Sequence, residues 1–140
     1  MSKFEIGPLQ YAWLTELRAH PELQTPHVLG FKRGEEEGYC CLGLALICIH
    51  KNEGTEPVYC SVTNSLLDPE PNREYNGTTL LQFEKIGLRT SMGSINKSAI
   101  PFEDKPSDDS LAGLNDGGWS WPQIADFIEK YPESVFTKSV

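Results

Sequence analysis

With 140 residues and 39% hydrophobic side chains, the chain can bury roughly two thirds of its unfolded surface in a single domain spanning 1–140. Twelve Lys and Arg against twenty Asp and Glu give a formal charge of −8. This opposes binding to a nucleic-acid backbone, which depends on cationic side chains displacing counterions. The longest apolar run, residues 39–49, has 11 residues, short of the ~20 needed to span a membrane.

Residues 8–20 carry the first helical signal. Pro8 suits a first helical position, and Leu9, Trp13 and Leu17 recur every four residues with Leu14 beside them. Pro21 stops the run, because the residue before a proline avoids helical backbone. Residues 22–38 are polar and punctuated by glycine, with a short strand expected at 28–32 and Glu35, Glu36 and Glu37 forming a solvated turn.

Residues 39–50 read YCCLGLALICIH. Leu42, Ala45, Leu46 and Ile49 follow helical spacing, and the positions between them are apolar too. A helix apolar on every side is a buried one, so a central core helix is predicted at about 40–50. Residues 52–79 are rich in Pro, Gly, Asn and Asp and read as a long loop, with strand character at 58–62.

A short helix is expected from Thr78 or Thr79 through Ile86. Gly87 ends it in the left-handed conformation, with Leu88 folding back toward Phe83. A hairpin is expected over 89–100 around Gly93-Ser94, then a polar acidic loop over 101–110 and a turn at residues 115–118, Asn-Asp-Gly-Gly. Ser120-x-x-Gln123 with Pro122 matches a capping box. It opens a helix whose Ile124, Phe127, Ile128 and Tyr131 share one face, and Tyr131-Pro132 ends it. The expected fold class is α+β, mainly α: three or four helices around a buried central helix (about 40–50) with a small β-hairpin or sheet.

The N-terminus is charged throughout and does not read as a signal peptide. Cys40 and Cys41 are neighbours. Cys41 and Cys48, on one helix, would have α-carbons about 10.5 Å apart, too far for a disulfide. Reduced thiols fit a cytoplasmic protein. His20, His27 and His50 are scattered and the cysteines lack short-spaced ligand pairs, so neither a metal site nor a cofactor is expected.

A cysteine at a helix N-terminus has a depressed pKa, which makes Cys40 and Cys41 candidate nucleophiles. The only downstream histidine, His50, lies about 14 Å along the same helix and out of hydrogen-bond reach. The plainer reading is two small buried hydrophobes. The turn at 115–118 feeds a helix start where outward-pointing amides suit an anion, with Trp119 and Trp121 placed to stack on a base. The plainer reading there is a helix entrance with one tryptophan packed inward. The candidate ligand-binding set is Arg33, Tyr39, Cys40, Asn115, Asp116 and Trp119. No catalytic set is complete, and no P-loop, dinucleotide fingerprint or metalloprotease motif is present.

Two stretches, GYCCLG at 38–43 and LNDGGWSWPQIADFIE at 114–129, together resemble an uncharacterised family of small phage and prophage proteins. The Trp13-Leu14 helix and residues 83–88, FEKIGL, are similar to its layout. The resemblance implies phage origin and a host-cell cytoplasm and supplies no activity. The expected function is a non-catalytic phage accessory protein, in its most concrete form one that binds and sequesters a nucleotide-derived signal of bacterial anti-phage immunity. The alternatives are an inhibitor binding a host protein through its acidic surface and exposed loops, and a thiol-dependent hydrolase using Cys40 or Cys41. Neither nucleic acid nor a membrane is an expected partner.

Overall fold

The computed structural model describes residues 4–67, 83–90 and 92–140. Among these, five α-helices and two small antiparallel hairpins surround one apolar cluster. The helices are α1 (Pro8–Ala19), α2 (Cys41–Glu53), α3 (Leu111–Asp116), α4 (Trp121–Lys130) and α5 (Pro132–Val135). The strands are β1 (Gly30–Arg33), β2 (Glu36–Tyr39), β3 (Val58–Tyr59) and β4 (Leu66–Leu67). The fold is mainly α with a small β component, as expected. No helix among the described residues is long and apolar enough to cross a membrane.

Helix α2 is the core element. Nine of its side-chain positions, including Cys41, Leu42, Ala45, Leu46 and Ile49, are buried, which follows from a sequence apolar around the whole helix. Cys40 is its N-cap, in extended backbone, and its Sγ accepts from Gly43 N–H at 3.4 Å. Gly54 ends it at φ +72°. Helix α1 packs on α2 with Trp13, Leu14 and Leu17 fully buried, and Trp13 Nε1 donates to Cys41 O at 3.0 Å. Arg18 at the end of α1 reaches Asp126 and Glu129 of α4 at 2.8 and 2.6 Å. This exposed fork adds little stability but fixes how the two helices face each other.

Gln10 ties the ends of the chain together. Its buried carboxamide accepts from Gly7 N–H at 2.9 Å and donates to Ile86 O and Lys138 O at 3.0 and 2.8 Å. Gly87 is left-handed at φ +84°. Leu88 N–H bonds Phe83 O and Gly87 N–H bonds Glu84 O, the paired closure expected there. The start of that helix at Thr78 or Thr79 lies outside the described residues.

Several local expectations are corrected. The first strand is displaced to Gly30–Arg33, and Glu36 and Glu37 form part of β2, with only Gly34 and Glu35 between the strands. Strand character at 58–62 ends at Tyr59. There Asn64 at φ +64° and the Asn64 N–H to Cys60 O bond turn the chain back.

The hairpin at 89–100 is absent among its described residues. Thr90 Oγ1 accepts from Met92 and Ser94 N–H, closing a local turn, and Ser94 and Ile95 pair instead with 109–110. Residues Lys97–Ala99 form a 3-10 turn capped by Asn96. Asn115 and Asp116 belong to the last turn of α3, because Ser110 Oγ caps that helix at Gly113 N–H and Leu111 and Leu114 bury beneath it. The true turn is Gly117-Gly118, with Gly118 at φ +106°.

Gly43 faces the Leu29 carbonyl oxygen, where a Cβ would collide with backbone that cannot move aside. Gly43→Ala is therefore expected to cost about 3 kcal/mol. Gly54→Ala, in open space, should cost only the left-handed penalty of about 1–2 kcal/mol. Urea denaturation of the two variants checks the difference.

Candidate functional site

Burying the start of α2 creates a chemical problem, since the first four N–H groups of a helix have no partner within it. The chain solves it with side chains drawn from distant segments. Asn115 is 3% exposed, and its Oδ1 accepts from Cys41 N–H at 3.2 Å, Trp121 Nε1 at 3.0 Å and Gln24 Nε2 at 3.1 Å. Its Nδ2 donates to Thr25 O at 3.1 Å. Gln24 completes the knot by donating to Trp119 O at 2.6 Å and accepting from Trp121 N–H at 2.9 Å. One carboxamide thus holds the 24–25 loop, α2, α3 and α4 together.

The residues nominated from sequence separate into four places. Cys40 and Asn115 lie at the start of α2, and Asp116 Oδ1 accepts His27 N–H at 2.8 Å beside them. Tyr39 points the other way: its hydroxyl donates to Glu37 Oε2 at 2.8 Å and shares a 2.7 Å bond with the Tyr59 hydroxyl, joining the two hairpins. Arg33 stands at the end of β1 with its guanidinium 5.5 Å over Phe31. Trp119 is half-buried and packs edge-on against Phe127, centroids 6.0 Å apart, while Trp121 is fully buried. The nominated set lines neither of the two clefts described below.

The thiols are placed as core residues. Burial pushes the Cys40, Cys41 and Cys48 thiols up, Cys48 to about 12. At Cys40 the N–H groups of Gly43 and Leu42 act in the opposite direction, and desolvation outweighs them. Cys41 Sγ donates to Leu111 O at 3.6 Å. Cys60, half-exposed, is held below the usual thiol range by the Thr63 hydroxyl and by backbone amides. Among the described residues no group of three or more His, Cys, Asp or Glu is arranged to hold a metal ion.

Three features went unread in the sequence. A cleft of about 700 Å3 opens between α1 and α2, with Leu9, Ala12 and Cys48 in its lining and Glu16, Lys51 and Lys85 around it. Lys51 lies 3.7 Å from Glu16 and Lys85 lies 2.8 Å from Glu53. A smaller one, about 520 Å3, lies between Phe4, Ile6 and Tyr11 and the end of α4.

The third is an aromatic strip along α4, largely packed into the fold: Phe127 is 7% exposed and Trp119 and Tyr131 are half-buried. Trp119 leads to Phe127, and Phe127 to Tyr131 with centroids 5.8 Å apart. Loop 101–110 is anchored at both ends of this strip. Asp104 accepts from the Tyr131 hydroxyl, and Asp108 rests against Gly113 and Gly117, just ahead of Trp119. Phe102, beside Asp104, is 86% exposed. The signal for it was a lone aromatic in the polar stretch PFEDKPSDDS; no local signal marks Gln24.

The chain matches no protein-family model, and no curated protein or solved structure is similar to it.

Asn115→Ala strands the buried Trp121 Nε1 and Cys41 N–H and should cost about 3 kcal/mol or more, whereas Asp116→Ala should cost under about 1 kcal/mol. Thermal and urea melts check the pair. In alkylation of the folded protein Cys60 should react first and the other three cysteines only on unfolding. Buried thiols keep protons that the unfolded chain releases above about pH 9, so stability should fall as pH rises beyond that point. The slope is about 1.4 kcal/mol per pH unit for each thiol, and Cys48→Ala should reduce it.

Proposed function

We propose that the protein works by binding another protein, without catalysis, as an accessory protein of phage or prophage origin. The observation that carries this reading is Phe102, exposed on the acidic loop 101–110. An 86%-exposed phenylalanine gains nothing for the fold, and aromatic side chains are enriched at the centres of protein interfaces. The thiols and the helix entrance nominated from sequence are occupied in holding the core. The phage origin rests on the resemblance of the segments at 38–43 and 114–129.

Sequestration of a small nucleotide-derived signal is a second reading, favoured by the α1–α2 cleft, whose volume suits a small ligand. A phosphate there would meet two lysines whose charges Glu16 and Glu53 already offset. This places sequestration behind protein binding.

Affinity capture from a bacterial host lysate at low salt, using wild type and Phe102→Ser, tests the first reading. The expected result is a partner retained by wild type and lost by the variant at an unchanged melting temperature. A partner held equally by both, or none at all, overturns it. Calorimetry against cyclic dinucleotides and ADP-ribose tests the second; heat abolished by Lys51→Glu but not by Phe102→Ser would favour sequestration instead.

A further inference from the structure

We infer that the cleft between α1 and α2 binds a small uncharged apolar molecule, the size of two or three fused or linked rings, and not an anion. The inference is independent of the protein-binding reading, and it opposes placing a phosphate in the same cleft. It follows from the lining of the cleft, from the partners of the polar groups around it, and from its dimensions.

The lining is built from small and apolar side chains. Pro8, Leu9 and Ala12 come from one face of α1, Cys48 faces them from α2, and Val140 lies beside Leu9. Helix neighbours three and four residues apart share a face, and short side chains at those positions leave the space open. Pro8 and Ala12 are exposed and Leu9 is half-buried, so a molecule seated there removes apolar surface from water, which is favourable. Cys48 adds no charge. Its burial pushes the thiol up to about 12, and it stays protonated throughout the neutral range.

The polar groups around the cleft already have partners. Lys51 is met by Glu16 at 3.7 Å and Lys85 by Glu53 at 2.8 Å. The Thr15 hydroxyl donates to Tyr11 O at 2.8 Å. The first turn of α1 would suit an anion, but the Leu9 and Gln10 N–H groups donate to Val140 O at 3.0 and 3.2 Å. An anion would have to displace one of these partners and would still lie against the Glu16 carboxylate, on a chain of net charge −8. An uncharged molecule displaces none of them and leaves no buried charge without a partner.

The dimensions set the size. The volume of about 700 Å3 lies within the usual range for small-molecule sites. The α1 face from Leu9 to Glu16 is about 10 Å long at 1.5 Å per residue.

The test uses two dyes of one skeleton on the full chain, uncharged N-phenylnaphthylamine and its anionic sulfonated relative, anilinonaphthalenesulfonate. The expected result is a saturable rise in emission of the neutral dye, bound about tenfold tighter than the anionic one. Ala12→Phe and Asn52→Phe add a ring to the cleft from opposite helices, both at exposed positions. Each should weaken the neutral dye about tenfold at an unchanged melting temperature. Glu16→Gln removes the carboxylate beside Lys51. It should tighten the anionic dye about threefold and leave the neutral dye unchanged.

Equal affinity for the two dyes, or a neutral dye that does not bind, overturns the inference. So does either ring-bearing variant binding like wild type, or an anionic dye indifferent to Glu16→Gln. A cyclic dinucleotide that displaces the neutral dye overturns it in favour of sequestering an anion. Phe102→Ser should bind the neutral dye as wild type does, and loss there would move the dye to loop 101–110 and overturn the inference too. The lysate capture reads Phe102 without reference to the cleft, so the protein-binding reading stands or falls separately.

Discussion

Everything in this fold is arranged around a buried helix start. Helix α2 is apolar on all sides and belongs in the interior, yet its first turn brings unsatisfied N–H groups there. Leaving such donors bare costs about 1–3 kcal/mol each. The Cys40 sulfur and the Asn115 carboxamide take two of them. The Cys40 N–H is taken by Leu29 O, and Cys41 O receives the Trp13 indole. The segments around residues 13, 29 and 115 are therefore registered against one point, and α1, the first hairpin and α3 inherit their positions from it. Asn115 carries the largest share, because it also binds the Trp121 indole and Gln24.

That arrangement explains which features were legible in the sequence. The Ser120–Gln123 box and the left-handed Gly87 are local devices whose partners lie within a few residues, and both stand where the spacing put them. The α2 helix was legible because an unbroken apolar run has one place to go. Asn115 was not, because its partners come from residues 24, 25, 41 and 121 and none is a sequence neighbour. Its Asn-Asp-Gly-Gly context has the composition of a turn. The competing signal, Ser110 capping Gly113 N–H, lacks the acidic or amide residue three positions on that makes a capping box visible. The expected hairpin at 89–100 failed for a similar reason. Thr90 closes its own turn, and the Ile95 N–H goes to Asp109 O instead of to a hairpin partner.

The same physics separates the candidate residues by role. Trp119 and Trp121 look equivalent in sequence. Trp121, however, shares the stripe of Ile124, Ala125 and Ile128 at helical spacing, and all four are buried. Trp119, one residue ahead of the N-cap, lies on the flank. For Cys40 the helix start and the desolvated surroundings pull the thiol in opposite directions. Its 7% exposure lets desolvation prevail, which suits a cap and not a nucleophile.

The remaining choice is between a concave surface and a convex one. The α1–α2 cleft is the roomier feature, but its charged groups are internally matched, Lys51 with Glu16 and Lys85 with Glu53. A charged ligand there must compete with bonds already made. Loop 101–110 differs in one respect. Its Asp104 and Asp109 are met by Lys130 and Lys97, but Phe102 stands in water with no packing role. An apolar side chain left in water gains most from a partner, because its burial takes nothing from the fold. That criterion favours the acidic loop carrying Phe102 as the contact surface proposed above.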